Sequence, residues 1–599
     1  MNHFSSKPRG LRSATLLAFL GVAAMASAVP LAAQGGATSV YGTRWAIGST
    51  VFVSSSSGTD STAPGAGTTR ASAYRTLQFA LDQTIIVQGS NPAPIVINVL
   101  PGLYQPTGFS MPANGVRLQA LGDGVVVSGT LAPTGAVITV DSVGVETLPD
   151  GSRNPASIIQ GFEIRDGSIG VNLDLGLARP GNELQTEIRD CRITANLSPD
   201  GLGGTGIRIE TSPDTKSAFV IEDNEIFANG VKNPNKASFG IDMIIDGIDS
   251  TLIRSNSVSF QEVAMRFRGR DPDAWCRPRV FSNFIHDHEQ MIDSNDAGPI
   301  FVHNTVYRII DWSGAPQRYA LLHNAPPLSP TADVENERFG FVVLNCIVDH
   351  HPLDDSLRGF GTFAVAFSDL ENTGNPSSNV DARLGARVAF NRTVAYVDPA
   401  LPDLHLLPTA AQVDDGSSAL VLPGRTATLL GVQIPIDVRQ DVDGDVRLTD
   451  RDLDGIDEPD RGADEVHNTR LSILDGAEAV GNVKSGGSAV LRMEAPAGSN
   501  VLLYAWIDDP AQVFDDVIFN NFLLVPPSDP FSLGNVLLPN LPPFPVAVGA
   551  APQGVFDWSF TAGPAYPAES EVLLQAFSLR PFPNLRADAS NRLRIEIND

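Results

Sequence analysis

The amino-acid sequence predicts an all-β chain: a parallel β-helix solenoid with an N-terminal cap, followed by a small antiparallel β-sandwich. Three observations predict it. A six-residue phrase recurs through the middle of the chain, a third short strand lies between its copies, and the texture changes near His467 to longer alternating strands with Pro-rich turns.

The phrase is apolar, two residues, Asn or Cys, one residue, apolar. It reads Ile188 to Ile193, Ile221 to Ile226, Ile253 to Val258, Val280 to Ile285 and Phe301 to Val306, with looser copies at Val343 to Val348 and Val388 to Thr393. The key residues are Cys191, Asn224, Asn256, Asn283, Asn304, Cys346 and Asn391, spaced by 33, 32, 27, 21, 42 and 45 residues. Self-similarity at such periods marks a solenoid whose units cover one another's apolar faces. Each phrase reads as two short strands joined at a one-residue corner. Asn suits the left-handed backbone of such a corner, and its amide can bond the same amide one coil away. Phe162 falls on the same register, 29 residues before Cys191.

The third strand is often led by glycine: Val171 to Leu173, Gly206 to Ile209, Gly240 to Met243, Val263 to Phe267 and Met291 to Asp293. Two or three strands per 21–45 residues suit parallel coils, with length differences absorbed in loops. A β-sandwich over this region would need tight Asn-Gly or Asp-Gly hairpins between strands, and the sequence has no such run.

The first residues carry Lys7, Arg9 and Arg12, then an apolar run from Ala14 to Met25 and the triplet Ala26-Ser27-Ala28. This is the pattern of a secretory signal over 1–28, too short to span a bilayer. Residues 29–48 read as a flexible leader, 49–466 as the β-helix and 467–599 as the sandwich. The expected location is secreted, extracellular or at the cell surface. Losing three basic residues takes the formal charge from −27 to −30, which argues against nucleic acid or an anionic membrane as partner. Three cysteines are too few for a disulfide framework. Cys191 and Cys346 read as core residues at ladder positions, and Cys276 has no obvious partner.

Near the N-terminus lie Gly58-Thr-Asp60, then Tyr74-Arg-Thr76-Leu77-Gln-Phe-Ala80-Leu81, then a buried strand ending in Pro101-Gly102-Leu-Tyr104. These segments resemble the opening of secreted right-handed parallel β-helix proteins, the superfamily that contains the pectate lyases. The resemblance implies a short helix capping the first coil, which would otherwise expose a sheet edge and the core. Asp398 to Pro408 and the later Asp443-Gly-Asp445-Val-Arg447 with Gly462-Ala-Asp464-Glu465 resemble the closing segment of the same superfamily. The likeness covers roughly residues 50 to 465, and it is specific for fold rather than activity.

Alternation within the third strands turns Arg208, Glu210, Asp242, Arg266, Arg268 and Asp293 outward. On lyases of this fold such a face holds a uronic-acid chain, carboxylates bind calcium and an arginine takes the proton. The resemblance therefore makes Arg208, Asp242, Arg266 and Asp293 the candidate catalytic set, with surface ion pairs as the plain alternative. The polygalacturonase-like pattern of N-T-D, G-H-G and R-x-K is absent from the sequence. Two further groups could hold metal. His286-Asp287-His288-Glu289, with His303 one coil on, could offer imidazoles, although a solvated loop explains them as well. Asp441, Asp443, Asp445, Asp450, Asp452 and Asp454 place carboxylates at alternate positions before glycines, the start of a calcium loop, although Arg461 replaces the glutamate of a complete one.

Two function classes stay open. The first is a carbohydrate-interacting protein, in its sharper form a calcium-assisted polysaccharide lyase on acidic glycans. The second is a non-enzymatic surface or adhesion protein using the β-helix as a spacer. A polysaccharide or cell-surface glycan is the expected partner, and Ca2+ the expected ion.

Overall fold

The computed structural model describes the chain from Thr50 to Ser417 with short interruptions, the segments 426–429, 432–435 and 459–463, and the backbone of C-terminal strands between 470 and 598. The signal and leader, residues 1–48, lie outside the described residues, as do all six junction aspartates from Asp441 to Asp454. No helix among the described residues is long and apolar enough to cross a membrane.

From Thr50 to Phe390 the described residues form a right-handed parallel β-helix. Its three main sheets hold twelve, eleven and nine strands, and each coil in the middle of the stack contributes one strand to each. In one coil these are Thr186–Arg189, Arg192–Thr194 and Gly204–Thr211; in the next they are Val220–Glu222, Glu225–Phe227 and Ser238–Ile245. Every pairing in these three sheets is parallel and in register, for example Ile188 with Ile221 and Ile221 with Ile253. The inward column of the twelve-stranded sheet runs Ile97, Leu118, Ile159, Ile188, Ile221, Ile253, Val280, Phe301, Val343, Val365, and each residue is buried. Burial of each such side chain is worth about 1.5–3 kcal/mol, so like-on-like stacking holds the coils together.

The corner between the first two strands holds two residues rather than one. The left-handed backbone falls on the residue before the ladder Asn: Asp190, Asp223, Ser255, Ser282, His303 and Asn345 have φ of 51, 56, 53, 53, 54 and 50°. That residue turns the chain, and the next points inward as a rung. The rungs run Cys191, Asn224, Asn256, Asn283, Asn304, Cys346. Backbone N–H of Cys191, Asn224, Asn256 and Asn283 each donates to the Oδ1 one coil on at 3.0 Å. Cys346 accepts from Asn304 N–H through Sγ at 3.5 Å, and Ser368 Oγ accepts from Cys346 N–H at 3.1 Å. Asn391, the last copy expected from sequence, is exposed and carries its own left-handed φ of 54°, so it is not a rung. Ser368 is instead the rung after Cys346, because a hydroxyl also accepts from the backbone.

A second ladder lies at the next corner, five residues on: Asn196, Asn229, Gln261, His288. Asn196 Nδ2 donates to Asn229 Oδ1 at 2.8 Å, and Gln261 N–H donates to His288 Nδ1 at 3.2 Å. The third strands then start against glycine. A Cβ on Gly206 would sit 2.7 Å from both Gly240 O and Ile226 Cγ2, so a side chain there would force the coil open.

The N-terminal cap has the expected form. Helix Leu77–Asp82 buries Leu77, Ala80 and Leu81, and Thr76 Oγ1 accepts from Phe79 N–H. Asp60 accepts from the N–H groups of Arg75 and Thr76 at 2.8 and 3.0 Å, which explains the Gly-x-Asp that precedes the helix. Tyr104 Oη bonds Leu100 O at 2.8 Å and tethers the end of its strand.

From Arg470 the backbone forms a three-stranded antiparallel sheet and a five-stranded sheet whose pairings are antiparallel apart from Asn482–Lys484 with Ala587–Asn598. The side chains of these strands lie outside the described residues, and with them the face-to-face packing that a sandwich requires.

Candidate functional site

The nine-stranded sheet is built from the third strands, Ser110–Pro112 through Asp355–Gly359. Its register brings the four residues chosen from sequence onto one outward column: Arg208 pairs with Asp242, Asp242 with Arg266 and Arg266 with Asp293. Asn172 precedes them, and Leu322 and Arg358 follow. Strand spacing sets the rungs about 4.8 Å apart. Two residues further along, a second column carries Asp174, Glu210, Ile244, Arg268, Asn295 and Asn324.

Contacts within these columns are uneven. Arg266 closes a two-pronged fork on Asp242, with Nε–Oδ1 2.7 Å and Nη2–Oδ2 2.6 Å, and its guanidinium lies 3.7 Å from the centre of the Phe239 ring. Asp242 keeps only 5% of its side chain exposed and Arg266 13%. A fork of this kind uses both carboxylate oxygens and fixes the arginine as a cation. Arg266 is therefore held as a positioned charge rather than a base, and Asp242 has no oxygen free for an ion. The four aligned side chains thus hold one closed pair and two residues with other partners. Asp293 accepts from Asn295 Nδ2 at 2.6 Å, and burial raises its carboxyl against the opposing pull of that bond and of Arg266. Arg208 bonds Glu210 at 2.7 Å. Glu210 also reaches Arg270 across two rungs at 2.6 Å, and that bond chiefly holds its carboxyl below the ordinary range. Arg268 stands exposed beside Asn295, with Asn324 one rung on, and has no ion-pair partner among the described residues. As they stand, these carboxylates do not fit a calcium ion.

The histidine group is structural. His286 and His288 lie on strand Phe284–His288 rather than in a solvated loop. His288 Nδ1 accepts from Gln261 N–H and Nε2 donates to Val258 O at 2.9 Å, so both ring nitrogens serve the second ladder. Burial pushes its imidazole down to about 4. His286 Nδ1 meets Asp287 Oδ2 at 2.9 Å, and His303 Nε2 accepts from Asn345 Nδ2 at 3.1 Å. No group of three or more metal-ligating side chains occurs among the described residues.

Sequence reading missed the way the chain returns to the coil at 459–463. Arg461, expected at the end of a calcium loop, is 1% exposed and bonds Asp369 at 2.8 Å and Asp415 at 3.0 Å. Gln412 Nε2 donates to the other Asp369 oxygen at 2.8 Å. Gly462 N–H donates to Asn345 O, at the corner before strand Ile347–Asp349, and Ala463 N–H to Thr305 Oγ1 on the eleven-stranded sheet. The resemblance at Gly462-Ala463 was the one available signal, and it marked the segment without its partners.

No protein-family model matches the chain, and no curated protein matches it. Among solved structures it is similar to the crystal structure of pectate lyase Pel9A, at 12% identity and a TM-score of 0.37, over 65% of this chain and 96% of that one.

Proposed function

We propose that the protein is exported and binds an acidic polysaccharide along the outer face of the nine-stranded sheet. One observation carries this reading: two adjacent columns in register over six coils, of charged and amide side chains interrupted by Leu322 in one and Ile244 in the other, with Arg268 exposed beside Asn295 and Asn324. A polymer with repeating carboxylates and hydroxyls matches a surface with repeating donors, and arginine pairs carboxylates in a planar fork. The closed Asp242–Arg266 pair favours holding a chain over cleaving it, because a calcium-assisted lyase would need that pair to open.

Affinity electrophoresis in gels containing a uronic-acid polymer or a neutral glucan tests the reading. The mature protein is retarded by the acidic polymer, and added salt weakens the effect. The Arg208→Ala/Arg268→Ala double variant binds about tenfold more weakly. Equal retardation by the neutral glucan, or an unchanged double variant, would contradict the proposal. Ultraviolet absorbance from unsaturated sugar ends, lost in Asp242→Asn, would instead make the face a lyase site.

Calcium belongs in this proposal at the acidic run Asp441 to Asp454, where alternate carboxylates suit a hard cation. Calcium raises the thermal midpoint of the protein and leaves the Asp450→Asn/Asp452→Asn/Asp454→Asn variant unmoved. An equal rise in both would place the ion elsewhere.

A further inference from the structure

The outer face of the eleven-stranded sheet is crossed by a hairpin, Tyr396–Asp398 paired with Asp403–Leu406. Leu404 and Leu406 are buried, Tyr396 packs edge-on against Tyr307 at 5.1 Å, and His405 against Phe284 at 5.4 Å. Beneath Tyr396 the sheet carries Tyr307 and then Asp349 in register. Glu371 follows one rung on, since its N–H donates to Val348 O at 2.8 Å. Two half-buried carboxyl groups therefore sit side by side beneath Tyr396. Tyr396 is 6% exposed and its Oη is turned toward Asp349, yet it completes no hydrogen bond in good geometry. One oxygen of Glu371, Oε2, is likewise buried without a partner.

The charge balance around the pair is one-sided. On its own sheet Asp349 faces Tyr307, Glu371 and Asp369; from the hairpin it faces Tyr396. The nearby cations Arg461 and Arg392 are engaged by Asp369 and Asp415. No described cation reaches Asp349 or Glu371. Two adjacent carboxylates with no counter-charge cannot both be ionised cheaply.

We propose that Asp349, set against Glu371, holds a proton, and that this proton fastens the strands Tyr396–Asp398 and Asp403–Leu406 over the eleven-stranded sheet as a strap that loosens as Asp349 ionises. Burial, then the neighbouring Glu371, push the Asp349 carboxyl up to about 7. The sign follows from linkage. Opening the strap hydrates the pair and returns Asp349 toward the ordinary carboxylate range, so the closed strap binds the proton more tightly. Its added stability is complete below about pH 4 and lost as pH rises through about 7. The Tyr396 hydroxyl turned toward the carboxylate opposes the release, but burial and Glu371 outweigh it.

Hydrogen exchange of the intact protein tests this, read on peptides covering 395–407 and corrected for the intrinsic pH dependence of exchange. The strap exchanges about tenfold faster near pH 8.5 than near pH 5.5. Asp349→Asn, neutral at every pH, holds the slow rate at both. Tyr396→Phe keeps the ring packing and the pH response, which separates loss of the proton from loss of the fold. An unchanged pH response in Asp349→Asn, or none in the original protein, overturns the proposal. So does slow exchange near pH 8.5 on adding calcium, which would make the pair a cation site.

Discussion

Replacing Asn256 with Leu lowers stability by on the order of 4 kcal/mol, the largest effect expected of any single ladder change. Asn256 is fully buried and makes five bonds. Nδ2 donates to Ile221 O, Arg254 O and Asn283 Oδ1 at 2.9, 2.8 and 3.0 Å, while Oδ1 accepts from the backbone and side-chain amides of Asn224 at 3.0 Å each. Leucine is close in size but strands those partners in three coils, and no water can reach them. Asn256→Cys costs less, about 1–2 kcal/mol, because Cys346 already shows a thiol accepting the rung bond. Thermal midpoints at one scan rate check both, since a chain of this size can unfold irreversibly. Equal midpoints for the Leu and Cys variants would remove hydrogen bonding as the reason for the ladder.

The second large effect falls on the returning segment. Arg461→Met costs about 3–5 kcal/mol, because it leaves Asp369 buried without its principal counter-charge. Burial already raises the Asp369 carboxyl, and Arg461 is the main force holding it down. Without the arginine that carboxyl rises further above its unfolded value. The resulting folded state is most stable at low pH and loses stability as pH rises, so the penalty is smaller near pH 4.5 than near pH 7.5. Adding Asp369→Leu to Arg461→Met recovers much of the loss, since the buried charge is then gone. A penalty independent of pH, with no recovery in the double variant, would show that Arg461 acts by packing alone.

The fold was legible because like residues stack on like. Ile188, Ile221 and Ile253 repeat with a rung residue three positions on, and the register follows directly. The cap was legible because Asp60, Thr76 and Tyr104 each answer a local need for hydrogen bonds at a chain end. The left-handed corner residue was placed one position late, because Asn is the residue type usually found there. Here aspartate, serine, histidine and, once, Asn345 turn the chain, and the ladder asparagines face inward. The second ladder escaped because its rungs change chemistry from Asn196 and Asn229 to Gln261 and His288, although the five-residue offset from the first was present throughout. On the sheet face, alternation correctly gathered Arg208, Asp242, Arg266 and Asp293. It could not show that Arg266 would close on Asp242 and leave Arg268 as the exposed cation, because which neighbours pair is decided by side-chain reach across rungs.

Polymer binding on the nine-stranded face is tested most directly by a crystal structure of the protein with a bound uronic-acid oligosaccharide. The prediction is a sugar chain lying along the columns from Asn172 to Arg358, with a carboxylate on Arg268 and the Asp242–Arg266 fork intact. A chain bound on either of the other two sheets, or a fork opened around a metal ion, would contradict it.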